Sequence, residues 1–176
     1  MTRDLPESHP LHRLFRGMTE STFMEELGIG DPRLVGYVAG LLTRFVPSEA
    51  VWNLRDGQGR RLEQVVSMIE HAELTSDSTA RGERHRHVGD FTLFWSGVYP
   101  EALARMRREG SGDSLIDFCR QGKLSYEMAS RLDKDRAPVL RQLSAQFELC
   151  AFGLSRVRKE WEKVDGHETR AGWIIS

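Results

Sequence analysis

A chain of 176 residues, 39% hydrophobic and 29% charged, carries enough apolar material to bury a core without disulfide staples. Its 25 Lys and Arg against 26 Asp and Glu leave a net charge of −1, which excludes the overall basic excess typical of nucleic-acid binders. Two cysteines are too few for a disulfide framework, no uncharged apolar run reaches the ~18 residues that cross a bilayer, and the opening Met-Thr-Arg-Asp-Leu-Pro-Glu has no leader-like apolar stretch. We therefore expect a cytoplasmic protein with no membrane partner.

In chain order, Ser8 and Pro10 suit the start of a first amphipathic helix. Leu11, Leu14, Phe15 and Met18 fall at helical spacing, and Phe23, Met24 and Leu27 continue the pattern after Gly17 as one helix with a weak point or as two short ones. His9 and His12 lie one turn apart, as a metal pair can, but no third ligand is near and an exposed terminus is the simpler expectation. Gly28-Ile-Gly-Asp-Pro32 is a stop followed by a start, with Asp31 as N-cap and Pro32 as the first helical residue. Leu34, Tyr37, Val38, Leu41, Leu42 and Phe45 then define a wide apolar arc that ends before Pro47; Gly36 and Gly40 on the other face predict close helix packing.

The turn Asp56-Gly-Gln-Gly59 suits a small hairpin across 51–62; Arg55, Arg60 and Arg61 around it could bind an anion, but a solvated loop is the simpler expectation. Leu62, Val65, Val66 and Ile69 predict an amphipathic helix with His71 turned to water, and the polar run from Leu74 to Thr79 predicts a loop.

The next stretch, Glu83 to Glu101, packs four aromatic rings into nine residues and predicts a central helix closed by Tyr99-Pro100. At ~100° per residue, Val88, Phe91, Trp95 and Val98 form an apolar stripe. Gly89, Leu93 and Gly97 lie opposite, where a neighbouring helix can approach. Glu83, His87 and Asp90 share a strip leading to Phe94, whereas His85 points elsewhere and is expected to be exposed. Pro100 restarts a short helix through Met106, with Arg105, Arg107 and Arg108 before the Gly110-Ser-Gly112 break. Asp113 is a candidate cap for a helix through Leu115, Ile116, Phe118 and Cys119; after Gly122 the pattern resumes at Leu124, Met128, Ala129 and Leu132. Tyr126 and Met128 fit a pocket lining, but plain core is the better expectation.

Leu140, Leu143, Phe147, Cys150, Leu154, Val157 and Trp161 step by three and four alternately, a heptad seam on one helix of some 25 residues, roughly 40 Å long at ~1.5 Å per residue. The whole reads as an all-α, single-domain bundle of six to seven helices over residues 1–163, with a long C-terminal helix and a loosely ordered tail at 164–176 that ends in the apolar Trp173-Ile-Ile175.

For chemistry, Glu83, His87 and Asp90 are the sharpest candidates, because carboxylates and imidazoles on successive helical turns are how bundles assemble metal or small-ligand sites. Di-iron bundles need matching Glu-x-x-His sets, and the chain has no Glu-x-x-His. The competing expectation is a buried polar network in which His87 and Asp90 hydrogen-bond each other and Arg84 or Arg86 neutralises the acids. Cys119 and Cys150 lie on apolar stripes, where a thiol is inert. No Gly-x-Ser-x-Gly, phosphate loop, dinucleotide fingerprint, Cys-x-x-Cys or His-Glu-x-x-His occurs, so no cofactor and no enzyme class is indicated. Nucleic-acid binding would need Arg55/Arg60/Arg61, Arg81/Arg84/Arg86 and Arg105/Arg107/Arg108 to merge into one basic face, a minority expectation.

The segments His9-Pro-Leu-His-Arg-Leu-Phe15, Glu26-Leu-Gly-Ile-Gly-Asp-Pro32 and His87 to Glu101 together resemble an uncharacterised family of bacterial hypothetical proteins, over roughly the first 160 residues. The resemblance implies no activity, cofactor or partner. The leading functional expectation is then a non-enzymatic protein acting through protein–protein contacts, self-associating through Leu140, Leu143, Phe147, Leu154, Val157 and Trp161. The alternative is a metal- or small-ligand-binding bundle built on Glu83, His87 and Asp90.

Overall fold

The computed structural model describes residues 9–45, 60–110 and 116–170, and all regular structure among them is helical. In chain order these are α1 (Pro10–Glu20), running on into a π-helical turn (Ser21–Glu26), α2 (Pro32–Phe45), α3 (Arg60–Leu74), α4 (Ser78–Val98), α5 (Pro100–Glu109), α6 (Phe118–Leu132), α7 (Ala137–Ala145) and α8 (Phe147–Arg170). The all-α expectation holds, but the described residues form eight α-helices and not six to seven, because Gln146 divides the expected last helix in two. Among the described residues no helix is long and apolar enough to cross a membrane.

The helix starts follow local chemistry. The side chain of Asp31 accepts from Arg33 N at 2.9 Å, Asp77 from Ala80 N at 2.7 Å and Asp117 from Arg120 N at 3.1 Å, each satisfying an amide that has no intrahelical acceptor. The cap of α6 is thus Asp117; Asp113 lies outside the described residues. Gly28 and Gly110 stop the preceding helices at φ +67°, a left-handed conformation that costs a residue with Cβ but not glycine. The expected hairpin at 51–62 lies mostly outside the described residues, and its last positions, from Arg60, belong to α3.

Helix α4 is the axis. From Val88 to Val98 every residue except Ser96 is buried, and one continuous apolar cluster joins it to Phe15 of α1, Phe23 of the π-helical turn, Leu34 of α2, Val65 of α3, Leu103 of α5, Phe118 of α6, Leu140 of α7 and Leu154 of α8. Full burial of side chains such as Leu93 and Phe94 is worth about 1.5–3 kcal/mol each.

Its neighbours come close where it lacks side chains. A Cβ on Gly89 would lie 2.6 Å from the ring of Tyr126, and one on Gly97 would lie 2.7 Å from Leu154 Cβ. From α6, a Cβ on Gly122 would lie 2.3 Å from the Phe147 ring and 2.6 Å from Thr92 Oγ1. Gly82 faces Leu132, Gly89 faces Tyr126 and Thr92 faces Gly122, so α4 and α6 pair in antiparallel register. This explains why α6 runs unbroken through Gly122. Gly36 and Gly40 of α2 are different: no described residue lies within 4 Å of where their Cβ would be, so among the described residues nothing takes up the close packing expected there.

Two C-terminal expectations need correction. The single heptad helix is divided at Gln146, whose φ −113° and ψ 27° separate α7 from α8. Its proposed interface is not exposed: Leu140, Leu143, Phe147, Cys150, Leu154 and Val157 are all buried in the chain's own core, and half-buried Trp161 packs edge-on against Phe15 at 5.4 Å. The heptad period marks a buried seam whichever surface fills the other side, and here α1, α4, α6 and the π-helical turn fill it. Helix α8 extends to Arg170, and Trp173-Ile-Ile175 of the expected tail lie outside the described residues.

At the other end of α4, Arg158 of α8 donates to Val98 O at 2.6 Å, pairs with Glu101, and stacks over Tyr99 at 4.7 Å. A cation at the C-terminal carbonyls both satisfies an acceptor and complements the helix dipole.

Candidate functional site

The carboxylate strip predicted on α4 divides into two environments. Asp90 is buried, at 2% exposure, and lies where α2 and α6 both meet α4. Its Oδ1 accepts from Tyr37 Oη at 2.6 Å and from Tyr126 Oη at 2.8 Å, and its Oδ2 accepts from Arg44 Nη2 at 3.1 Å. Tyr126 reaches this position because its ring lies against Gly89, one residue before Asp90. Burial, and then the negative charge of Asp90, push both phenols well above their ordinary value, so neither serves as a base near neutral pH. Burial opposes the charge on Arg44, but Asp90 and Tyr37 outweigh it and hold the guanidinium above its ordinary range. The result is a carboxylate with both oxygens committed to protein donors, a tether between α2, α4 and α6.

Glu83 and His87 do not join it. Both are exposed, and His87 makes no hydrogen bond to Asp90, so the three residues are not one buried cluster. One helical turn toward the start of α4, its surface opens into a cleft shared with α3. Glu83, His87, Arg84 and Ala80 of α4 with Met68 and His71 of α3 line a cleft of about 360 Å³. That volume is at the lower end of the roughly 300–1,000 Å³ typical of small-molecule sites.

The electrostatics of the cleft follow from who is paired. Glu83 Oε2 accepts from Arg86 at 2.6 Å and its Oε1 from Arg136 of the α6–α7 turn at 2.9 Å; burial pushes its carboxyl up, but the two arginines together outweigh burial and hold it below the ordinary range. Arg81 is engaged by Glu73 at 3.0 Å. Arg84 has no carboxylate partner among the described residues, so the uncompensated charge of this cleft is positive. His87 is open to the cleft but crowded by protein on its other sides. Burial lowers its pKa, with Arg44 and Arg86 adding to the effect and Asp90 opposing it, which leaves a neutral imidazole at pH 7. Phe45 of α2 stacks against that imidazole, with centroids 6.1 Å apart and planes 21° from parallel.

The histidine missed by the sequence reading is His85. It is 3% exposed, its Nδ1 and Nε2 lack hydrogen-bond partners, and its nearest charge is Glu73 Oε1, 3.4 Å from Nε2. Burial lowers its pKa, Glu73 opposes this and Arg81 reinforces it. The signal lay in its position seven residues before Thr92 and four before Gly89, on the side of α4 that the glycines mark for close packing.

Other candidates contribute less. Cys119 and Cys150 are unpaired thiols pushed up by burial, to about 11 and about 12, far from an activated nucleophile. No group of three or more His, Cys, Asp or Glu side chains among the described residues is arranged to hold a metal ion; this includes His9 and His12 at the start of α1. Of the arginine groups, Arg81 and Arg86 are held by acids, Arg105, Arg107 and Arg108 lie exposed on α5, Arg55 is outside the described residues, and the side chains of Arg60 and Arg61 are not described. A wider groove between α6 and α7 carries Arg131, paired with Glu127 at 2.6 Å, beside Lys134 and Arg141, but it offers no ring or imidazole.

No family model matches this chain, and neither the curated proteins nor the solved structures contain a significant match to it.

Proposed function

We propose that this protein is a small-ligand-binding helical bundle, folded as one domain, that holds an anionic small molecule in the α3–α4 cleft. The observation that carries the reading is Arg84, a half-buried guanidinium without a carboxylate partner among the described residues, set in a cleft with His71 and His87 while the acid beside it, Glu83, is committed to Arg86 and Arg136. A ligand carboxylate or phosphate supplies the partner that Arg84 lacks, and the imidazoles add hydrogen-bond donors. Asp90 has no direct role, since its acceptors are occupied by the fold. Metal binding by Glu83, His87 and Asp90 loses its support, because they do not converge.

The test is a thermal-shift screen of simple carboxylates and phosphates against the wild-type protein and Arg84→Ala. Stabilisation of the wild type by at least one anion class, abolished in the variant, supports the reading. Equal responses in both proteins, or none up to millimolar concentrations, would count against it.

Protein–protein contact is the second reading. Leu149 and Phe152, one turn apart on α8 and 38% and 54% exposed, favour it as an apolar surface pair distinct from the buried seam. Sedimentation of the wild type against Leu149→Ser/Phe152→Ser tests it, and a monomer in both cases removes self-association.

A further inference from the structure

The cleft also specifies the shape of its ligand, an inference that rests on the anion-binding reading above. Three rings form a column that runs outward from the core. Phe94 of α4 stacks on Phe45 of α2 with centroids 5.1 Å apart and planes 25° from parallel, and Phe45 stacks on His87 at 6.1 Å and 21°. Phe94 is fully buried, Phe45 is half-buried and His87 is exposed and lines the cleft, so the column runs from the core to the cleft wall. Phe45 fixes the ring of His87 from one side, and a ring fixed in advance loses little rotamer freedom when something stacks on it.

Arg84 and His87 are three residues apart on α4, so they face the same way with Cβ atoms roughly 5–6 Å apart. That separation matches a single ring with one anionic substituent: the ring lies by the imidazole and the substituent reaches the guanidinium. Met68 and Ala80 supply the apolar remainder of the wall, and a thioether is a favourable neighbour for a ring edge. A compact aliphatic anion would use Arg84 alone and leave the imidazole and the thioether without a complementary surface. We infer that the α3–α4 cleft takes a planar aromatic ring carrying one carboxylate or phosphate group, with the ring extending the Phe94–Phe45–His87 column and the anion on Arg84.

The experiment compares benzoate, phenyl phosphate and cyclohexanecarboxylate by calorimetric titration into the wild type, His87→Leu, His87→Phe and Arg84→Ala. Cyclohexanecarboxylate matches benzoate in charge and size and presents a more apolar but non-aromatic ring, so burial of apolar surface alone favours it. The expected result is that benzoate binds the wild type about fivefold more tightly than cyclohexanecarboxylate, which is the scale of an aromatic pair. His87→Phe keeps that preference, His87→Leu loses it, and Arg84→Ala weakens both carboxylates. Tighter phenyl phosphate than benzoate identifies a phosphate as the anion, and the reverse identifies a carboxylate. Equal binding of the two carboxylates, or a preference that survives in His87→Leu, overturns the aromatic inference and leaves anion binding intact. Binding of none of the three ligands to the wild type overturns both. A retained helical circular-dichroism spectrum and a cooperative thermal transition in both His87 variants are the control for folding.

Discussion

Two turns of the same helix treat their polar residues in opposite ways. At Asp90 a carboxylate is enclosed, and three donors from two other helices meet its two oxygens. At Glu83, Arg84 and His87 the side chains face a cleft, the acid is neutralised by arginines at its edge, and a guanidinium stays without an acid among the described residues. A buried polar group that is fully satisfied belongs to the scaffold, because breaking it leaves costly unpaired partners. A polar group that is accessible, pre-oriented and uncompensated is where binding can gain free energy. The difference separates the part of α4 that holds the fold from the part suited to a ligand.

The largest effect is expected at Asp90. Asp90→Ala leaves Arg44 and two phenols without their acceptor, and the loss of a buried charge partner is worth about 3–5 kcal/mol in chemical denaturation. A loss below about 1 kcal/mol, within the range of an ordinary surface change, would remove the distinction between the two turns. The glycine contacts come next. Gly89→Ala forces a Cβ to within 2.6 Å of the Tyr126 ring and displaces the hydroxyl from Asp90, for an expected loss of about 1–3 kcal/mol. Gly36→Ala on open α2 has the opposite sign, a gain of about 1 kcal/mol or less, from helix propensity.

His85 sharpens the comparison through pH. Both His85 and His87 are held below their ordinary 6.5, so the unfolded chain takes up protons first as the pH falls. Their contribution to stability is therefore complete above pH 6.5 and shrinks as the pH drops below it toward the folded values. His85→Leu replaces a buried imidazole without hydrogen-bond partners, and we expect a gain of about 1 kcal/mol at pH 6 with a flatter profile between pH 7 and 5. A less stable His85→Leu protein with an unchanged profile would show that the imidazole contributes more than its neighbours account for. The smallest effect on stability is expected at the cleft: Arg84→Ala should change it by less than about 0.5 kcal/mol while removing anion binding.

The regular structure was largely legible in the sequence because its signals are local. Asp31-Pro32 starts α2, Tyr99-Pro100 ends α4 and starts α5, and Gly28 and Gly110 stop the helices before them; each acts within one turn. The centrality of α4 was legible too, from aromatics and glycines on opposite sides. What failed depends on residues distant in sequence. Asp90 parted from Glu83 and His87 because Tyr37 and Tyr126, 53 and 36 residues away, meet it and not them. His85 and His87 exchanged their expected environments because α4 is enclosed on most of its circumference, and a helical wheel does not say where the enclosure opens. The heptad seam identified buried residues correctly but not the surface that buries them. Gly36 and Gly40 have the same spacing that signals close packing elsewhere, and no described neighbour takes it up.

The division of α4 is tested most directly by following backbone amide resonances while benzoate is titrated into the protein. The account predicts saturable shifts centred on Met68, His71, Ala80, Glu83, Arg84 and His87, with Tyr126 and Gly122 on the far side of α4 unmoved, and loss of the response in Arg84→Ala. Shifts centred on the α6–α7 groove around Lys134 and Arg141, or no saturable shift at all, would contradict it.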